Sequence, residues 1–282
     1  MDTITTIAAL QTKIKSWRSS GLSVALVPTM GNLHDGHLQL VKTAKVKADK
    51  VVVSIFVNPT QFGANEDFDT YPRTEQQDQQ KLETIGTDAL FLPTVTEMYP
   101  PQSQTVVSVS QLARQHCGLS RPGHFDGVAT VVCKLFNIVQ PTIALFGKKD
   151  FQQLAVIKAM VKDLYMPIEI IGLDTVREPS GLAMSSRNAY LNASEKKLAP
   201  LLYQTLKTAR DAIMAKQSSF LTIEQQSLAL LQQAGFQPDY FTICCAEDLQ
   251  KAKIGDLNLV ILAAAKLGKT RLIDNVSVTM PT

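Results

Sequence analysis

The sequence predicts an α/β fold, a Rossmann-like, doubly wound parallel sheet followed by a second, smaller α+β domain at the C-terminal end. Three observations lead there. The run at 51–57 is almost unbroken in apolar residues, which suits a strand covered on both faces rather than one with a wet side. Strand-like and helix-like stretches alternate through the first two thirds of the chain, the pattern of right-handed crossovers in a parallel sheet. After about residue 176 that alternation stops, and helical stretches precede three strand-like runs.

In chain order, a first strand is expected at 23–28, closed by Pro28, then a turn and a helix over 38–48. The strand at 51–57 follows, then a helix over 75–85 and a strand at 89–93. A helix over 128–139, a strand at 143–147, a helix over 151–164 and a strand at 168–176 complete the parallel part. A polar loop rich in small residues at 177–188 leads to one long helix over 195–216. A second helix spans 223–234, with Leu228, Leu230, Leu231 and Ala234 among its apolar residues. Strands at 240–245, 257–264 and 270–278 would form a small, antiparallel sheet. The expected division is a larger Rossmann-like domain at 1–176, a linker with a mobile loop at 177–188 and a small domain at 189–282.

The chain has 282 residues, long enough for one large and one small domain. Apolar residues make up 45% and charged residues 19%, a balance that supports a packed core and argues against extended disorder. A net charge of +3 without a dense basic run gives no reason to expect a nucleic-acid or membrane partner. The first residues lack a basic stretch followed by an apolar one, so no signal peptide is expected, and the apolar run at 257–265 is too short to span a bilayer. Cys117, Cys133, Cys244 and Cys245 lack C-x-x-C spacing, so free thiols in a reducing, cytoplasmic setting are expected.

The chemistry concentrates at 28–37, Pro-Thr-Met-Gly-Asn-Leu-His-Asp-Gly-His, between the first strand and a helix. Ligands of open α/β sheets bind beyond the carboxyl ends of strands, and a helix start attracts phosphate through unpaired N–H groups. His34 and His37 are three apart and can face one phosphate chain, where imidazolium groups would stabilise a leaving pyrophosphate. A zinc site, with His116 or His124 as third ligand, is the alternative, though no cysteine or carboxylate cluster supports it.

The H-x-G-H pattern resembles the signature of the nucleotidyltransferase superfamily, which pairs it with a mobile Met-Ser loop. Met184-Ser185-Ser186-Arg187 looks like that second element, able to close over a triphosphate. Further segments at 56–62, 69–73, 123–128, 146–153 and 177–183 run in the order seen in the pantothenate synthetase (pantoate–β-alanine ligase) family, and the segment at 270–275 is also similar.

That resemblance implies ATP-dependent condensation of pantoate with β-alanine, by way of a pantoyl-adenylate, in a homodimer that uses ATP with Mg2+. It implies an ATP site of Met30, Gly31, Asn32, Leu33, His34, Asp35, Gly36, His37, Gly147, Lys148, Lys149, Asp150, Val176, Met184, Ser185, Ser186 and Arg187. His37 would be the proton donor, with His34, Lys149 and Arg187 as further catalytic cations. Gln61 and Gln153 would bind pantoate, and Gln61 would reach β-alanine. An adenylyl transferase making a cofactor, or a nucleotide sensor on the same fold, are the rival readings.

Overall fold

The computed structural model describes residues 1–64 and 66–281. Its larger sheet has six parallel strands: β1 (Asp2–Ile4), β2 (Val24–Thr29), β3 (Lys50–Ile55), β4 (Ala89–Phe91), β5 (Ile143–Gly147) and β6 (Glu169–Leu173). They lie in the order β1-β4-β3-β2-β5-β6. Helices α1 (Ile7–Ser19), α2 (Asp35–Lys47), α3 (Glu75–Ile85), α4 (Val95–Met98), α5 (Cys117–Ser120), α6 (His124–Val139) and α7 (Phe151–Asp163) fill the connections.

Both faces of this sheet are buried, as the continuous apolar runs require. Side chains alternate along a strand, so Val24 and Leu26 of β2 join one core while Ala25 and Val27 join another. The first core receives Leu10 and Ile14 of α1 and Phe136 of α6; the second receives Leu40 and Val41 of α2 and Leu82 of α3. β3 and β5 divide in the same way, Val52 and Phe146 facing α6 and Val53 and Leu145 facing α2.

The remainder has α8 (Ala193–Leu198), α9 (Leu201–Met214) and α10 (Phe220–Gln233), then β7 (Gln237–Cys245), β8 (Asn258–Leu267) and β9 (Thr270–Thr279) in an antiparallel sheet of order β7-β8-β9. Ile261 and Ala263 of β8 pack with Leu206 of α9 and Leu231 of α10. Val260 and Leu262 face Phe151 and Ala155 of α7 instead, which docks the small sheet against the larger one.

The single helix expected over 195–216 is two helices. Pro200 lies between them, where its missing N–H and its ring disrupt a continuous helix. β1 and α1 were not anticipated, and α2 and α6 begin three and four residues earlier than expected. Cys117 and Cys244 are buried free thiols, whereas Cys133 and Cys245 are only half-buried. Among the described residues, no helix is long and apolar enough to cross a membrane.

Candidate active site

The chain leaves β2 toward β3 and β4, then returns to place β5 on the other side of β2. A crevice opens at such a switch point beyond the carboxyl ends of the strands. Here it is a cavity of about 220 Å³ lined by residues that follow β2, β3, β5 and β6. It adjoins a second cavity of about 710 Å³ that reaches the small sheet, the two sharing Lys149, Asp150, Ser185 and Arg187.

The turn after β2 is held from beneath by Asp78 of α3, which is wholly buried. Its carboxylate accepts the backbone N–H groups of Asn32 and Leu33 at 2.7 and 2.8 Å and the Thr74 hydroxyl at 3.1 Å. Lys81 Nζ donates to the Leu33 carbonyl at 2.6 Å. Gly31, at φ 83°, supplies the left-handed backbone that begins this turn, with Asn32 following at 49°.

His34 caps α2, its Nδ1 accepting the Gly36 N–H at 3.1 Å, while His37 Nδ1 accepts the His34 N–H at 3.4 Å. The rings lie 4.1 Å apart, centroid to centroid. Burial, then nearby Lys149, pushes the pKa of His34 down to about 4; burial, then His34 and Lys149, pushes that of His37 down to about 3. Both rings are therefore neutral in the free protein, before any phosphate is bound. Because Nδ1 accepts in each, the ring proton sits on Nε2, and the histidines offer neutral N–H donors.

Gln61 lies at the end of the 3-10 turn Pro59–Gln61 after β3 and is 9% exposed. Asn58 Nδ2 donates to its Oε1 at 3.2 Å, and its Nε2 sits 3.0 Å from Met30 Sδ. His124 and Arg121 hold its backbone carbonyl at 2.8 and 3.3 Å. α6 presses so closely on this turn that a Cβ on Gly127 would stand 2.3 Å from the Thr60 carbonyl oxygen. Burial, then Arg121, pushes the His124 pKa down to about 4. His116 is elsewhere, with Nε2 3.0 Å from the Leu249 carbonyl. Among the described residues no three His, Cys, Asp or Glu converge as for a metal, so neither histidine completes the zinc alternative.

The turn Lys148–Asp150 after β5 aims Lys149 into the cavity but turns Lys148 toward Asp174, 2.6 Å away. The 177–188 segment is ordered by an antiparallel bridge between Arg177 and Ala183 and by Met184 N–H donating to the Val176 carbonyl. Ser186 Oγ donates to the Asn32 carbonyl at 3.2 Å, so this segment touches the histidine-bearing turn directly. Arg187 also lines the cavity, and without a ligand its guanidinium is held by a carboxylate. It pairs bidentately with Asp67, at 2.9 and 2.8 Å, and lies 5.5 Å from the Tyr71 ring centroid.

Of the expected site residues, Met30, His34, Gly36, His37, Gln61, Gly147, Lys149, Asp150, Gln153, Val176, Met184, Ser185, Ser186 and Arg187 line the smaller cavity. Gly31, Asn32, Leu33, Asp35 and Lys148 do not: Leu33 is buried, Asp35 faces solvent, Lys148 turns toward Asp174, and Gly31 and Asn32 form the turn that Asp78 supports. Sequence reasoning assigned no role to Thr29, Asn58, Tyr71, Asp174 or Thr175, which also line it. It also missed the wall formed by Val128, Val131, Val132 and Leu135, although their helical spacing marks a single face of α6.

The family model for pantoate-beta-alanine ligase matches residues 2–277. The chain belongs to the pantoate-beta-alanine ligase family. A pantothenate synthetase of Shewanella loihica is 57% identical over 98% of this chain and 99% of its own. One from Methylococcus capsulatus is 53% identical over 100% and 99%. The crystal structure of the pantothenate synthetase from Thermus thermophilus superposes with a TM-score of 0.92 at 42% identity, covering both chains fully. A pantoate-beta-alanine ligase from Francisella tularensis, solved in complex with Beta-gamma ATP and beta-alanine, gives a TM-score of 0.83 at 35% identity over 98% and 97%. Membership makes the chain a ligase and removes both the adenylyl transferase and the nucleotide sensor.

Proposed function

We propose how the cavity divides the work of joining pantoate to β-alanine at the expense of ATP. The enzyme catalyses that condensation through a pantoyl-adenylate, releasing pyrophosphate and then AMP. A carboxylate resists an amine until its oxygen becomes part of a good leaving group, and adenylation supplies one. The observation that carries the division is the convergence of two histidine N–H donors, Lys149 and Arg187 on one cavity that Gln61 and Gln153 also line.

ATP lies with its phosphates against the start of α2. His34 and His37 donate from Nε2 to phosphate oxygens, and Lys149 supplies the cation between the strands. The triphosphate competes with Asp67 for the Arg187 guanidinium, so that nucleotide entry moves Arg187 from a protein carboxylate to a phosphate. The negative charge of the bound phosphates favours protonation of His37, which then serves as the proton donor to departing pyrophosphate. Val176, Met184, Ser185 and Ser186 complete the nucleotide site. Gln61 and Gln153 bind pantoate with neutral amides, which orient its hydroxyls and carboxylate without drawing charge from the nucleophile, and Gln61 also meets β-alanine.

Magnesium arrives with the nucleotide in this reading. Phosphate oxygens and water would hold the ion, since magnesium keeps several of its waters when it travels with a nucleotide. We divide the chain at 176 and 189, on the separate cores of the two sheets. Homodimer assembly rests on family resemblance, and cytoplasmic residence on the four free thiols. Exchange of labelled pyrophosphate into ATP, with pantoate present and β-alanine absent, tests this account.

A further inference from the structure

Two neighbouring polar residues of the small sheet are buried, Asp274 at 5% exposure and Asn275 at 7%. Buried polar groups persist where hydrogen bonds satisfy them, so where these bonds go says what the residues hold. Asn275 Nδ2 donates to the carbonyls of Lys148 and Lys149, each at 2.9 Å. A primary amide has two N–H donors, and here both are directed at consecutive carbonyls of the turn that carries Lys149.

Asp274 fixes the base of this contact. Its Oδ1 accepts the Asn275 backbone N–H at 2.8 Å, and both its oxygens take the Arg177 guanidinium, at 2.6 and 2.9 Å. Arg177 also donates to the Gly181 carbonyl at 3.1 Å and lies 3.4 Å from the Tyr203 ring centroid. One stretch of β9 thus holds the turn bearing Lys149 and the start of the segment that bears Arg187. Neither Asp274 nor Asn275 lines the smaller cavity.

We propose that Asn275 is a positioning residue for adenylation, reaching from the small sheet to fix the backbone that aims Lys149 at the nucleotide phosphates. The inference rests on the placement of Lys149 at those phosphates proposed above. A turn of three residues has little internal restraint, and the Lys149 stem reaches the cavity only while its backbone is held. A shift of about 1 Å in a group that contacts the transition state can lower a rate by about a hundredfold. The contact also makes the nucleotide site depend on how the small sheet is seated.

The test is a double-mutant cycle between Asn275→Leu and Lys149→Ala, read by pantoate-dependent pyrophosphate exchange and by thermal unfolding. Asn275→Leu removes both donors at similar volume. In the folded variant, kcat/KM for ATP is expected to fall roughly ten- to a hundredfold while KM for pantoate moves less than about threefold. In the Lys149→Ala background the same change should cost less than about threefold more, because the group it positions is gone. Equal, additive losses in both backgrounds, or a parallel loss toward ATP and pantoate, would overturn the proposal. If Lys149→Ala alone leaves exchange unchanged, the assignment of Lys149 fails and the proposal falls with it, an outcome separate from additivity. Should Asn275→Leu not fold, Asn275→Asp keeps the shape without the donors, and a wild-type rate from it refutes the inference.

Discussion

Replacing Asp78 with Ala should damage stability and chemistry together, although Asp78 does not line the smaller cavity. The carboxylate is wholly buried and accepts two backbone N–H groups, from Asn32 at 2.7 Å and Leu33 at 2.8 Å. Alanine leaves both donors without an acceptor, at a cost of about 1–3 kcal/mol each, so about 2–6 kcal/mol together. Against a total of about 5–15 kcal/mol that is a large fraction. At about 2–4 °C per kcal/mol the melting temperature should fall by at least about 4 °C. Asp78→Asn keeps one acceptor oxygen but turns a donor toward the other N–H, so it should destabilise less than Ala and more than a surface change. Both variants release the turn that places His34 and His37, so pyrophosphate exchange per folded molecule should fall about tenfold or more. Thermal unfolding and exchange kinetics on the same preparations check this. A melting temperature within about 1 °C of wild type, with unchanged exchange, would show that Asp78 does not carry the turn.

Gln61→Ala and Gln153→Ala should each weaken pantoate use by about 1–3 kcal/mol, since a polar group of the ligand loses its partner. ATP binding measured without pantoate should be nearly unaffected, and a loss confined to ATP would contradict the assignment. The free protein should lose stability as pH falls from about 6.5 toward 4. The pKa values of His34, His37 and His124 are depressed, to about 4, 3 and 4, chiefly by burial, so the unfolded chain binds their protons first. Each contributes up to about 1.4 kcal/mol per pH unit. Urea unfolding across this range should show a flatter slope for His37→Asn, and an unchanged slope would mean that His37 is already protonated in the native state.

The parallel sheet was legible because strands covered on both faces must be apolar at every position, and 24–27 and 51–53 are. β1 was not, since three residues paired only with β4 carry too little pattern to stand out. α1 could have been found from Ile7, Leu10, Ile14 and Trp17, which recur at helical spacing. Pro200 likewise announced a break that the long helical stretch concealed. The histidine turn and Lys149 could be placed at the cavity because each directly follows a strand, and the Met184–Arg187 segment because its residue pattern stood out. Asp78 was not, because it is one polar residue among six in Glu-Gln-Gln-Asp-Gln-Gln and meets its partners only through the fold. The neutral histidines and the Arg187–Asp67 pair were equally hidden, since both depend on burial and on neighbours distant in sequence.

The most direct test of the account is isotope exchange in wild type and in folded His37→Ala. Given ATP, magnesium and pantoate but no β-alanine, the wild-type enzyme should move labelled pyrophosphate into ATP, and omission of pantoate should abolish the exchange. In His37→Ala the exchange should fall by about a hundredfold or more, because a donor aimed at the leaving phosphate is lost. No exchange without β-alanine, from enzyme that makes pantothenate in the full mixture, would contradict the stepwise route. A wild-type exchange rate in the variant would contradict the role of His37.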